Sequence, residues 1–125
     1  MEFKEVSSQA DTSISAYGDG GFRFGDQRSK GSILITPKGY YPWEVTDSAA
    51  ITIKSLKSII DQQDDIDILL IGTGENMAFL TKELRISLKA ENIAVDVMST
   101  GAAARTYNIL LAEGRKVAAA LIAID

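Results

Sequence analysis

Three short apolar runs in the second half of the chain, at residues 66–71, 93–98 and 117–124, are separated by two stretches whose apolar residues return at helical spacing. The order is strand, helix, strand, helix, strand. An apolar run with little alternation suits a strand covered on both faces, the usual state of parallel strands in α/β proteins, and only Asp67 interrupts the first of these runs. Parallel neighbours need crossover connections, which are right-handed almost without exception. The three runs are therefore expected to be parallel or nearly adjacent in one sheet, with both helices on the same face if the strand order is simple.

In the first helical stretch Met77, Leu80, Leu84 and Leu88 share a stripe, and Lys82, Glu83, Arg85 and Lys89 are spread mainly over the rest. This helix is expected to end near Asn92. The second covers residues 102–113 and stops at Gly114. Farther upstream Ile53, Leu56, Ile59 and Ile60 recur at helical spacing behind Thr52, a suitable N-cap, so an amphipathic helix is predicted there until Asp64 and Asp65 break it. The acidic group Asp61, Asp64, Asp65 and Asp67 lacks the alternating ligands, glycine and terminal glutamate of a calcium loop and reads as a solvated linker.

The first half is β-rich. Residues 1–13 are polar and small enough to read as a loose arm, and residues 14–17 begin a strand that meets Gly18-Asp19-Gly20-Gly21. Phe22 and Phe24 alternate with Arg23, residues 31–36 form a clearer strand ended by Pro37-Lys38-Gly39, and residues 40–45 return antiparallel. Pro42 has no N–H to give a ladder, so it belongs on an edge, at a bulge or outside the ladder. The expected architecture is one α/β domain over residues 14–125. It is a mixed sheet with C-terminal β-α-β units, helices on one side and the earlier strands covering the other face. A chain of 125 residues supports one core of this kind.

Cysteine and histidine are both absent, which removes disulfides, thiolate nucleophiles, Cys/His zinc sites and every triad that needs an imidazole. No metal or cofactor is expected. Any general base would be a carboxylate, lysine or tyrosine, and no pair of carboxylates stands out for acid and base roles. With 13 basic against 17 acidic residues the net charge is -4, which argues against nucleic acid as a partner. The longest apolar stretch falls far short of the roughly 20 residues of a membrane helix, so a soluble, cytoplasmic protein is expected.

Two segments carry the candidate chemistry. Gly72-Thr73-Gly74 leaves a buried strand and is expected to enter a helix, where backbone amides and the helix dipole favour an anion. A dinucleotide fingerprint needs a third glycine where Met77 stands, a phosphate loop needs a Gly-Lys-Ser/Thr that is missing, and Glu75 would repel phosphate. Close strand-helix packing is the other reading of the same glycines. The second segment is Arg105, Thr106, Tyr107 and Asn108, which either line a cleft or serve structure, with Tyr107 in the core and Arg105 paired with Glu113 or another surface carboxylate. Trp43 beside Tyr40 and Tyr41 reads either as a partner-facing aromatic cluster or as core.

In combination, Tyr17-Gly18-Asp19-Gly20-Gly21-Phe22-Arg23, Gly31-Ser32-Ile33-Leu34, residues 69–74, Arg105-Thr106-Tyr107-Asn108 and residues 113–122 resemble a small domain-of-unknown-function family. That family includes the mitochondrial respiratory complex I assembly factor 3 and an adipogenesis-associated protein with the same domain. The resemblance spans residues 14–125 and implies a three-layer β/β/α fold with no established reaction. Many bacterial members carry cysteine where this chain has Ala104, so a thiol role does not transfer. The resemblance implies a non-enzymatic binding or assembly module with protein partners, among them respiratory-complex subunits. The alternative is a small anionic-ligand binder or unrecognised enzyme, with a pocket shared by Gly72, Thr73, Gly74 and the segment from Arg105 to Asn108. A homo-oligomeric scaffold, built on Trp43 and the apolar C-terminal strand, is a third reading.

Overall fold

The computed structural model describes residues 13–125. The arm expected over residues 1–13 lies outside the described residues except for Ser13. Strands β1 (Ala16–Gly18), β2 (Gly21–Phe24) and β3 (Gln27–Lys30) form an antiparallel sheet in that order. A second sheet takes β4 (Ile33–Thr36), β5 (Gly39–Pro42), β6 (Ile68–Gly72), β7 (Val95–Met98) and β8 (Val117–Leu121) in the order β5-β4-β8-β6-β7. Three α-helices join them: α1 (Lys57–Ile60), α2 (Lys82–Ala90) and α3 (Thr100–Ala112).

The parallel core of the large sheet follows the apolar runs. β6 is parallel to both β7 and β8, while β4 is antiparallel to β8 and β5. Every residue of β8 is buried. Its side chains alternate between two cores: Ala118 and Ala120 join Leu69 and Ile71 on one face, and Val117, Ala119 and Leu121 join Leu70 on the other. The alanines let layers approach closely from both sides. Leu69, Leu70 and Ile71 are fully buried, and each such side chain contributes roughly 1.5–3 kcal/mol relative to exposure. Pro42 ends β5, an edge strand, where a missing N–H breaks no ladder.

The helices do not share a face. Leu84 and Leu88 of α2 pack into the core with Trp43, Leu56 and Ile59, whereas Ala103, Tyr107 and Leu111 of α3 pack into the core with Phe22, Phe24 and Ile33. The strand order explains this. β7 and β8 lie on opposite sides of β6, so two right-handed crossovers leaving in opposite directions put α2 and α3 on opposite faces. The small antiparallel sheet shares its core with α3, and the Phe24 ring stacks on Tyr40 at 4.2 Å and 8°.

Two helix boundaries also differ from expectation. The predicted helix behind Thr52 is split into a 3-10 turn at Lys54–Leu56 and the single turn of α1. Thr52 and Ser55 do exchange reciprocal bonds, with Ser55 N–H donating to Thr52 Oγ1 at 3.1 Å and Thr52 N–H donating to Ser55 Oγ at 3.0 Å. α2 does not start at the glycine turn. Its N-cap is Thr81, whose Oγ1 accepts from Leu84 N at 3.2 Å, so residues 73–81 form a connection and Met77 lies there, 47% exposed.

Candidate functional site

The corner after β6 is stitched to the rest of the fold by its own polar groups. A Cβ on Gly72 would lie 2.8 Å from Thr100 Cα, so only glycine lets the start of α3 come this close. Gly74 has φ +111, a conformation that side chains resist. The Thr73 N–H donates to Met98 O at 3.0 Å, and the Gly74 N–H donates to Thr100 Oγ1 at 2.9 Å. In return Thr100 N–H donates to Gly74 O at 2.8 Å, and its hydroxyl donates to Ile122 O at 2.7 Å. Ile122 N–H donates to Gly72 O at 3.0 Å. The end of β7, the start of α3 and the end of β8 thus meet on this corner, and the Thr73 and Gly74 amides that an anion would need are spent inside the protein.

A polar cavity of about 380 Å³ does border the corner, walled by Thr73, Gly74 and Glu75 on one side and by Asp47, Ser48 and Asp125 on another. Three of these are carboxylic residues, which disfavours an anion. None of Arg105, Thr106, Tyr107 or Asn108 lines this cavity.

Two of these residues, Arg105 and Asn108, instead tie α3 to the N-terminal segment. The Asn108 amide clasps Ile14, with Nδ2 donating to Ile14 O at 2.7 Å and Oδ1 accepting from Ile14 N at 2.8 Å. This is what a neighbouring strand would offer, supplied by one side chain. Arg105 Nη1 donates to the Tyr17 hydroxyl at 2.8 Å rather than pairing with Glu113. That hydroxyl lies so close over Gly101 that a Cβ there would be 2.7 Å away. Tyr107 is 1% exposed, in the core, and Thr106 is half-buried. Trp43 is also core, with Nε1 donating to Ser55 O at 2.9 Å. β8 is central in its sheet and Trp43 is buried, although the neighbouring β5 is an edge strand. Burial pushes the Tyr40 hydroxyl above its ordinary value of 10.0.

The second cavity, about 300 Å³, is an apolar groove between α2 and β7. Phe79, Leu80, Leu88, Ile93, Val95 and Val97 line it, together with the cations Arg85 and Lys89. No motif announced this groove. The signal available was the alternation of Val95 and Val97 with Asp96, which marks a strand open on one face.

Comparison with known proteins settles the family. A model described as a protein of unknown function (DUF498/DUF598) matches residues 14–122. The chain belongs to that family. An uncharacterised protein of Rhodobacter capsulatus is 39% identical over 109 residues, covering 87% of this chain and 82% of that one. The Danio rerio protein named NADH dehydrogenase (ubiquinone) 1 alpha subcomplex assembly factor 3 is 34% identical over 122 residues, covering 98% of this chain and 70% of its own length. Among solved structures, that of an outer membrane protein from Bartonella henselae superposes with a TM-score of 0.86 at 46% identity, covering 91% of this chain and 96% of that one. The expected mixed α/β domain is thus the fold of that solved structure, with the strands here divided between two sheets. No helix among the described residues is long and apolar enough to cross a membrane.

Proposed function

We propose that this protein is a non-enzymatic assembly module that binds protein subunits during biogenesis of a respiratory NADH dehydrogenase complex, working from the cytoplasm. The observation that carries this reading is the 34% identity to a relative named as an assembly factor for that complex, over 98% of the chain. The geometry supports it. The polar side chains that sequence motifs nominate for chemistry, Arg105 and Asn108, are engaged with Tyr17 and Ile14. The surface also keeps large apolar groups exposed, with Phe79 87% exposed beside the α2–β7 groove. The anionic-ligand reading finds less support, because the Thr73 and Gly74 amides donate inward and the adjoining cavity is acidic.

The test is deletion of the gene in the native host, followed by native gel electrophoresis of membranes with in-gel NADH dehydrogenase staining. The assembly reading expects a stalled subcomplex and loss of the full-size enzyme, restored by the wild-type gene. Normal amounts of full-size enzyme in the deletion strain would refute it.

A further inference from the structure

We propose that the α2–β7 groove receives an extended acidic segment of the partner protein, which adds to the large sheet as a new edge strand beside β7. The proposal rests on the assembly reading only for the existence of a partner.

β7 is the last strand of its sheet, and among the described residues it pairs with β6 alone. Leu69 N–H donates to Ala94 O at 2.8 Å and Thr73 N–H to Met98 O at 3.0 Å, so alternate residues of this segment face β6. In a parallel ladder the N–H and C=O of one residue point the same way, and the direction reverses at the next. The main-chain groups of Val95 and Val97 therefore point outward, to the open edge. Their side chains line the groove. One incoming strand thus finds backbone partners and an apolar trough in the same place, the combination that peptide addition to sheet edges uses. An edge this apolar, left uncovered, invites pairing.

Charge selects the occupant. Arg85 and Lys89 line the groove, and the one ion pair among the described residues is elsewhere, between Lys57 and Asp61. Two cations with no ion-pair partner among the described residues, at an apolar trough on a chain whose net charge is -4, complement a segment whose groove-facing positions, every second residue, include both aliphatic and acidic side chains. A second copy added edge to edge would bring another Arg85 and Lys89 instead of the missing carboxylates. Phe79 at the groove is placed to close over an inserted aliphatic side chain.

The test uses three labelled peptides of about nine residues, within the usual length of a strand and long enough to overhang the four residues of β7 at both ends. One carries valine and glutamate in turn at every second position with threonine between them, so that both face the groove, one has lysine in place of the glutamates, and one is the acidic peptide with a central proline. Fluorescence anisotropy measures binding to the full chain, and amide NMR locates it. The acidic peptide is expected to bind, to shift and protect the Val95 and Val97 amides, and to outcompete the other two by about tenfold or more. Arg85→Glu with Lys89→Glu reverses the preference toward the lysine peptide. Val97→Pro removes an outward N–H without touching the β6 ladder and abolishes binding, while Val97→Ala, which keeps that N–H, retains it. Melting curves confirm that each variant folds. Equal binding of acidic and basic peptides, shifts elsewhere on the surface, or undiminished binding to a folded Val97→Pro variant overturns the proposal. So does protection of Val95 and Val97 that grows with protein concentration in the absence of peptide, since a second copy then fills the edge. A stalled assembly phenotype alongside failed peptide binding removes this surface and leaves the assembly reading intact. Peptide binding with normal assembly in the deletion strain does the reverse.

Discussion

Replacing Thr100 with valine separates the structural role of the glycine corner from a ligand-binding one. Thr100 is fully buried, and its hydroxyl accepts from Gly74 N at 2.9 Å while donating to Ile122 O at 2.7 Å. Valine keeps the branched shape and removes both bonds. Leaving a buried donor or acceptor unpaired costs about 1–3 kcal/mol per group. The gain from burying a methyl in place of a hydroxyl offsets part of that sum, so a net loss of about 2–4 kcal/mol is expected. For a domain of this size that is a fall of about 10 °C in Tm. In urea unfolding the midpoint drops at unchanged m, because the surface exposed on unfolding is the same. Thr100→Ser is the control: it deletes one methyl, worth about 1 kcal/mol, and keeps the hydroxyl. The expected order of stability is wild type, then Thr100→Ser, then Thr100→Val. A valine variant as stable as wild type, or more stable than the serine variant, refutes the idea that this hydroxyl locks the corner.

Gly72→Ala drives a Cβ to 2.8 Å from the Thr100 Cα and 3.0 Å from Leu121 Cδ2, and should cost about 1–3 kcal/mol by thermal unfolding. Asn108→Ala removes both bonds to the Ile14 backbone, so hydrogen exchange at Ile14 should accelerate and stability fall by about 1–2 kcal/mol. Because burial raises the Tyr40 pKa in the folded state, the unfolded chain loses that proton first as pH rises. The contribution of Tyr40 to stability should be intact below pH 10 and decline as pH climbs through the folded-state value. Ultraviolet titration of wild type against Tyr40→Phe checks the sign.

Much of this architecture is legible in the residues because hydrophobic pattern and burial agree. The runs that became β4, β6 and β8 are apolar, and they are the buried centre of the large sheet. β3 escaped notice because Gln27-Arg28-Ser29-Lys30 carries no apolar residue; it is a strand through its pairing with β2, a tertiary cause that no local pattern records. The start of α2 was misplaced because Met77 and Leu80 happen to fall in helical phase with Leu84 and Leu88. The informative residue was Thr81, a helix N-cap three positions before Leu84. Helix faces depend on strand order, and nothing local says that β8 inserts between β4 and β6.

The candidate site was legible to the extent that Gly72, Gly74, Arg105 and Asn108 hold special positions. Their partners lie far away in sequence. Asn108 clasps Ile14 and Arg105 reaches Tyr17 across the interface between α3 and the N-terminal segment, so identical residue types read equally well as cleft or clamp until the chain is folded. The α2–β7 groove had no motif at all, since an open edge is a property of the sheet and not of the strand.

The most direct test of the account is complementation of the deletion strain, read as the amount of full-size NADH dehydrogenase on native gels. Wild type and Arg105→Ala should both restore it, while the folded double variant Arg85→Glu with Lys89→Glu should leave the subcomplex stalled. Full rescue by the double variant, together with failure of a normally folded Arg105→Ala variant, would contradict the account and return function to the α3 segment.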